Sequence, residues 1–553
     1  METTTDFYGT GVTTVFGTME TGDVLWMLVS GFIMSFILAC GLGANDVANS
    51  FATSVGAKVL TMSWACILAS IFETAGAVLL GSKVSDTIRK GIFDVTLYDG
   101  KEEVLMLGQV CALGGACIWM LLATWLKMPV SGTHSIVGAM VGFHLVVFQL
   151  EGINWKQFGF IVASWFLSPV MSGVVSSVVF VIYRKLVLSK EEPLEPGLRV
   201  LPAFYALVMI INCISIFIDG PEILYLHVIP VWGVMILSFG LGLIVGLVVF
   251  FFLVPYWRRQ LQGITKKREN IQAAGKYSGE LDEVKVDPET KVPVCDTEEV
   301  KVNLANHHSN GQVHSAESQP MVESAGHIMP TTPTSPTSKD ANGFFKVNGN
   351  KWKRLLSNEP TGGGDARKSM SKKMESEEWK SIKDHPVVAK LCTPLQILSA
   401  IFASFAHGGN DVSNAIGPLV ALWAIYSSGG VDQKQGTPVW ILVYGGFGIT
   451  VGLWLLGRRV IETVGSKLTP MTPSSGFSIE LGAAATVLLA SNIGIPISTT
   501  HCKVGSVVAI GRVRAKATVQ WKLFGNIILA WIITLPITAG LSAALMAGLR
   551  LVL

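Results

Sequence analysis

The sequence predicts an all-α polytopic membrane protein with about twelve transmembrane segments, two of them re-entrant or broken, arranged as two inverted-topology repeats. Three observations predict it. The chain is 50% hydrophobic and only 15% charged, with a mean hydropathy of +0.50, whereas a soluble domain carries about 25% charged residues. The apolar residues gather into runs of roughly 18 or more, the length that crosses a bilayer as a helix. Two polar motifs occur twice each, at nearly the same spacing.

In chain order, the apolar runs lie near 24–42, 64–82, 105–126, 129–148, 157–182, 200–218 and 230–256. They resume near 395–426, 439–456, 476–493, 496–511 and 523–549. The runs at 129–148 and 496–511 open with proline followed by serine, glycine or threonine, which suits the start of a broken helix better than a plain span. Residues 1–256 therefore read as a first membrane half and 391–553 as a second.

Residues 257–390 differ in kind. They open on Arg258, Arg259, Lys266, Lys267 and Arg268 and continue through polar sequence rich in Pro, Ser, Lys and Glu, including Met329 to Ser338. That composition marks a mostly disordered linker. Lys351-Trp352-Lys353-Arg354 offers a weak basic contact for a membrane surface.

Lysine and arginine orient the chain. With 257–390 cytoplasmic, the loop carrying Arg184, Lys185, Lys190 and Arg199 is also inside, as are Arg458, Arg459, Lys467, Arg512, Arg514, Lys516 and Lys522. The 219–229 loop falls outside and carries no Lys or Arg. One loop disagrees: 83–104 falls outside yet holds Lys83, Arg89, Lys90 and Lys101 among several acids. This orientation puts both termini outside, and no cleaved leader is expected because the N-terminus lacks a basic region ahead of an apolar one.

The first motif is Gly43-Ala44-Asn45-Asp46-Val47-Ala48-Asn49-Ser50, repeated as Gly408-Gly409-Asn410-Asp411-Val412-Ser413-Asn414-Ala415. Asn45 to Asn410 is 365 residues. The second is Pro129-Val130-Ser131-Gly132-Thr133-His134-Ser135, repeated as Pro496-Ile497-Ser498-Thr499-Thr500-His501-Cys502, and His134 to His501 is 367. Gly138 and Gly505 keep that spacing, and Trp165 and Pro169 correspond to Trp531 and Pro536 within a residue. Two motifs recurring in order at nearly one offset imply a duplicated unit.

Each motif has a chemistry. On a helix, residues three and four apart share a face, so Asn45, Asp46 and Asn49, and likewise Asn410, Asp411 and Asn414, gather amide oxygens around one carboxylate. Hard monovalent cations take oxygen ligands, and Gly41, Gly43, Gly408, Gly409 and Gly417 would let the helix unwind and add backbone carbonyls. The plainer alternative is an amide cluster joining helices, yet an aspartate at a helix centre costs about 2.5–3.5 kcal/mol on insertion scales. The Pro-x-Ser-x-Thr-His elements read as half-helix starts with capping hydroxyls. A helix N-terminus offers free N–H groups and a positive dipole end, which suits an oxyanion.

His134, His407 and His501 carry no metal-ligand spacing and read as structural or as pathway groups; Glu73 and Glu480, buried by sequence, are further pathway or coupling candidates. The eight cysteines include no C-x-x-C, so neither a disulfide framework nor a zinc site is expected. No cofactor and no nucleic-acid partner are expected.

These residues resemble the inorganic phosphate transporter family, sodium-dependent symporters of animals with microbial relatives. The match rests on residues 43–56, on Pro129 to His134, on His407 to Pro418 and on Pro496 to Gly505, with Ile71 to Glu73 and Gly476 to Glu480 similar to the animal members. The resemblance implies phosphate held between two re-entrant hairpins at Ser131, Gly132, Thr133, Ser498, Thr499 and Thr500, and closed by Asp46, Asn49, Asp411 and Asn414. It implies sodium held by Asn45, Asp46, Asn49, Asn410, Asp411 and Asn414. It also implies a homodimer in the plasma membrane working by an elevator-like alternating access. The expected function is sodium-coupled import of inorganic phosphate. A proton-coupled phosphate or sulfate permease is the alternative, and an intramembrane hydrolase is disfavoured because the duplication sets equivalent groups on both sides of a pseudo-twofold axis.

Overall fold

The computed structural model describes residues 21–218, 226–263, 383–431, 435–457, 468–514 and 519–551. Met329 to Ser338, the Lys351 segment and several of the orienting basic residues lie outside them. No strand occurs among the described residues.

The helices are α1 (Thr21–Asn45), α2 (Val47–Gly56), α3 (Met62–Lys90), α4 (Glu102–Trp125), α5 (Gly132–Phe148), α6 (Trp155–Tyr183), α7 (Leu194–Phe217) and α8 (Val231–Val248) in the first half. The second half has α9 (Pro386–Ser428), α10 (Val439–Gly452), α11 (Pro473–Asn492), α12 (Thr499–Arg514) and α13 (Trp521–Leu549). Each of the twelve apolar runs is a helix. Ten helical stretches among the described residues are long and apolar enough to span a bilayer. The other two runs, α5 and α12, have 17 and 16 residues and begin after extended backbone at the two proline motifs. The second half starts earlier than hydropathy gives: α9 opens at Pro386, with His385 as N-cap accepting from the Val387 N–H, because Pro is preorganised for the first helical turn.

The packing follows one pattern used twice. In the first half α1 packs on α4 and α4 on α5; in the second α9 packs on α11 and α11 on α12. Between halves α1 packs on α10 and α3 on α9, while α5 packs on α13 and α6 on α12. Described residues of both halves belong to one compact unit. Among the described residues, the α7–α8 pair alone has no mate in the second half. Apart from a buried stripe of Val234, Ser238, Gly242 and Gly246, α8 presents Trp232, Ile236, Phe239, Leu243 and Ile244 outward, a surface that suits hydrocarbon.

Glycines set the closest crossings. A Cβ on Gly408 of α9 would lie 1.9 Å from the Glu73 carbonyl of α3, and one on Gly76 of α3 would lie 1.8 Å from the Phe405 carbonyl of α9. The α1–α10 crossing repeats this: Gly43 against the Ile449 carbonyl at 1.9 Å and Gly452 against the Cys40 carbonyl at 1.8 Å. Backbones in lipid approach this closely only over small residues. This corrects the expectation that these glycines unwind the helix. Gly408, Gly409 and Gly417 stand inside the unbroken α9; their missing side chains admit a neighbouring helix instead. In the first copy α1 passes into α2 at Asp46, where the backbone stays helical at φ −88° and ψ −40° and the Asp46 N–H still donates to the Leu42 carbonyl at 2.7 Å.

Candidate functional site

The site is assembled from the two half-helix starts. Both α4 and α11 end in the same turn. Leu126, Lys127 and Met128 donate their N–H groups to Leu122, Thr124 and Ala123, and Ile493, Gly494 and Ile495 donate theirs to Leu489, Ser491 and Ala490. The reversal passes through a left-handed residue in each copy, Lys127 at φ 59° and Gly494 at φ 70°. The chain then runs extended through the proline and enters α5 or α12. Ser131 caps α5, its hydroxyl accepting from the His134 N–H at 3.3 Å; Ser498 does the same for His501 at 3.2 Å. These are the capping roles the serine positions predict.

The two starts are fastened to each other. Thr133 Oγ1 donates to the Ile497 carbonyl at 2.8 Å, and its repeat mate Thr500 donates to the Val130 carbonyl at 3.3 Å. One turn in, the His134 and His501 rings stack at 4.6 Å with 8° between planes, flanked by Trp165 at 3.7 Å and Trp531 at 3.5 Å. The result is a run of four rings, Trp165, His134, His501 and Trp531, from four different helices. His501 Nδ1 also makes a short contact with Ser498 Oγ. The two histidines thus take part in the junction of the halves.

The aspartates sit on these helix starts. Asp46 Oδ2 accepts from the Gly132 N–H at 3.2 Å and Oδ1 from the Thr500 hydroxyl at 2.9 Å. Asp411 accepts from Thr499 Oγ1 at 3.1 and 3.2 Å and from Asn410 Nδ2 at 2.9 Å. Gly132 and Thr499 are repeat mates, so each aspartate is held by the same position of its own hairpin. Both carboxylates are buried. A charge at either position would need charge-assisted hydrogen bonds such as these to replace its water.

The carboxamides divide into two roles. Asn45 is committed to the α4–α5 turn: its Nδ2 donates to the Met128 carbonyl and Thr124 Oγ1, and its Oδ1 accepts from the Val130 N–H. Asn410 ties down the start of α12 through the Ile497 carbonyl at 2.9 Å, and Asn414 donates to Thr133 Oγ1 at 3.1 Å. The Oδ1 atoms of Asn410 and Asn414 are buried without a hydrogen-bond partner, a cost of about 1–3 kcal/mol each if left so. Asn49 falls on α2, but its side chain lies outside the described residues.

The two acids read from sequence have different surroundings. Glu73 Oε1 accepts from Ser50 and Ser404, each at 3.1 Å, while Oε2 has no partner. Ser50 Oγ also lies 2.9 Å from His407 Nδ1, and that nitrogen is 3.9 Å from Asp411 Oδ2. Glu73, Ser50, His407 and Asp411 are therefore one contiguous polar patch across α2, α3 and α9. Glu480 instead forms a fully buried ion pair with Lys503 at 2.7 Å, and its other oxygen is contacted by Thr53 of α2. Lys503 was assigned no role from sequence. The signal was there: it is the one lysine inside the apolar run that begins at Pro496, where a cation is expensive without a partner.

A core of small and apolar helices around paired half-helix starts, with carboxylates and uncommitted amide oxygens buried where the two halves meet, defines a membrane carrier of the discontinuous-helix kind. Comparison with known proteins agrees. The phosphate transporter family profile matches residues 42–542, and the chain belongs to that family. It is 40% identical to sodium-dependent phosphate transporter 2 of Felis catus over 96% of this chain and 98% of that protein, and equally to the transporter of the same name from Homo sapiens. Sodium-dependent phosphate transporter 1-A of Danio rerio is also 40% identical, with 96% and 95% covered. A solved structure described as the sodium-dependent phosphate transporter shares the fold with a TM-score of 0.66 and 32% identity, covering 96% of this chain and all of that one.

Proposed function

We propose that this protein imports inorganic phosphate by symport with sodium, as a carrier and not as an enzyme. The observation that carries the reading is that Asp46 and Asp411 occupy the very donors a phosphate would use. The Gly132 N–H and the Thr499 and Thr500 hydroxyls are directed at carboxylate oxygens, so a tetrahedral oxyanion must compete with two resident carboxyl groups for them. Sodium resolves the competition. A cation bound to the aspartates and to the free oxygens of Asn410 and Asn414, with Asn49 alongside, takes over charge compensation and releases the donors at the helix starts. Phosphate then binds at Ser131, Gly132, Thr133, Ser498, Thr499 and Thr500, and its charge in turn favours the sodium. Neither ligand binds well alone, which is the reciprocity that linkage requires.

Asn45 holds the α4–α5 turn in place rather than taking a share of the ion. The patch around Glu73 and His407 adjoins Asp411 and serves as a coupling route. Alternating access is elevator-like: the body that carries the two half-helix starts and the paired Asn-Asp motifs moves across the bilayer relative to the remaining helices. The chain works as a plasma-membrane homodimer with residues 257–390 in the cytoplasm and both termini outside.

The test is phosphate uptake by reconstituted vesicles with sodium replaced by choline at constant osmolarity. Uptake is predicted to collapse in choline. Uptake that instead follows a proton gradient and ignores sodium would move the assignment to the proton-coupled alternative.

A further inference from the structure

The buried Glu480–Lys503 pair has no mate in the first half. Glu480 corresponds to Leu113 of α4 and Lys503 to Ile136 of α5 at the 367-residue spacing, and both of those are buried apolar residues. A pair kept in one half only is not needed for the shared architecture, since the other half builds the same hairpin without it. Its position is specific. Lys503 stands three and four residues after Thr500 and Thr499, so it shares their face of α12. Helical side chains lean toward the helix N-terminus, which aims a lysine there at the half-helix start. Glu480 intercepts it: Nζ is 2.7 Å from Oε2, both side chains are fully buried, and Thr53 of α2 contacts the other carboxylate oxygen.

We infer that Glu480 is a positioning residue that sequesters Lys503, the one buried lysine beside the hydroxyls of α12, and so leaves sodium as the counter-charge that phosphate must bring with it. The inference rests on the sodium–phosphate reading above and deepens it. A lysine in a water-poor site needs an anion. While Glu480 supplies one, Lys503 has nothing to offer phosphate. Without Glu480, the anions one helical turn away are the Asp46 and Asp411 carboxylates held on Thr500 and Thr499 and the phosphate that competes with them, and the protein acquires a fixed cation in place of a transported one. Coupling is then lost in a particular way: phosphate binds without sodium and is released poorly.

The experiment measures equilibrium binding of radiolabelled inorganic phosphate to the purified, reconstituted full-length protein, in sodium and in choline. Four forms are compared: wild type, E480Q, K503M and the double variant E480Q/K503M. E480Q is expected to bind phosphate in choline at least about tenfold more tightly than wild type, within the usual range of coupling between sites, and to show slowed uptake. K503M and the double variant, which lack the cation, are expected to keep their sodium requirement. Sodium-independent binding by K503M or by the double variant would overturn the inference, as would E480Q with wild-type dependence. Should E480Q fail to fold, as judged by size-exclusion profile and melting, K503M and the double variant still carry the test. If the wild type itself binds phosphate equally in choline, the symport reading fails instead, and the two failures are distinct.

Discussion

At the scale of single residues, the account turns on carboxylates that are anchored by the groups meant for the substrate. Asp46→Asn and Asp411→Asn each keep the size of the side chain while removing its charge. Sodium titrations of phosphate uptake by these variants are predicted to be flat or nearly so, and a wild-type sodium response in either would remove that aspartate from the coupling. A second prediction concerns Lys127, which holds φ 59° where its repeat mate is Gly494 at φ 70°. A side chain in that left-handed conformation costs about 1–2 kcal/mol. Lys127→Gly is therefore predicted to raise the melting temperature, while Gly494→Ala, adding a Cβ at the same conformation, lowers it.

Among helices, the balance is between close approach and buried polarity. The reciprocal glycines at the α3–α9 and α1–α10 crossings leave no room for a methyl group, since each new Cβ would stand within 2 Å of a backbone carbonyl. Gly408→Ala and Gly43→Ala are predicted to abolish folded protein at the cell surface, whereas Gly240→Ala, which meets nothing within 4 Å, leaves it unchanged. The ring stack of Trp165, His134, His501 and Trp531 joins the halves symmetrically. Replacing either tryptophan by leucine removes one ring contact worth about 0.5–1.5 kcal/mol, so Trp165→Leu and Trp531→Leu are predicted to lower thermal stability by similar amounts. A large difference between them would argue against the equivalence of the halves.

For the whole molecule, much was legible in the sequence because duplication doubles every signal. The proline motifs marked the two half-helix starts, and Ser131 and Ser498 cap them as their positions predict. The Asn-Asp motifs marked the buried carboxylates. Other features were hidden for physical reasons. The meaning of Gly76 and Gly452 lies in partners more than 300 residues away, and no local pattern announces such a crossing. The helix glycines read as hinges because flexibility and close packing demand the same residue. Lys503 was overlooked because its mate is apolar Ile136, so the repeat that exposed the other site residues concealed this one.

The central claim is that sodium and phosphate bind at two interleaved sets of groups and cross together. The most direct measurement follows labelled sodium and labelled phosphate fluxes in the same reconstituted vesicles, each with and without the other ion. The account predicts that omitting either ion suppresses the flux of its partner, and that a sodium gradient alone drives phosphate above its equilibrium distribution. Phosphate flux that is the same in choline as in sodium, or that only runs down its own gradient, would contradict it.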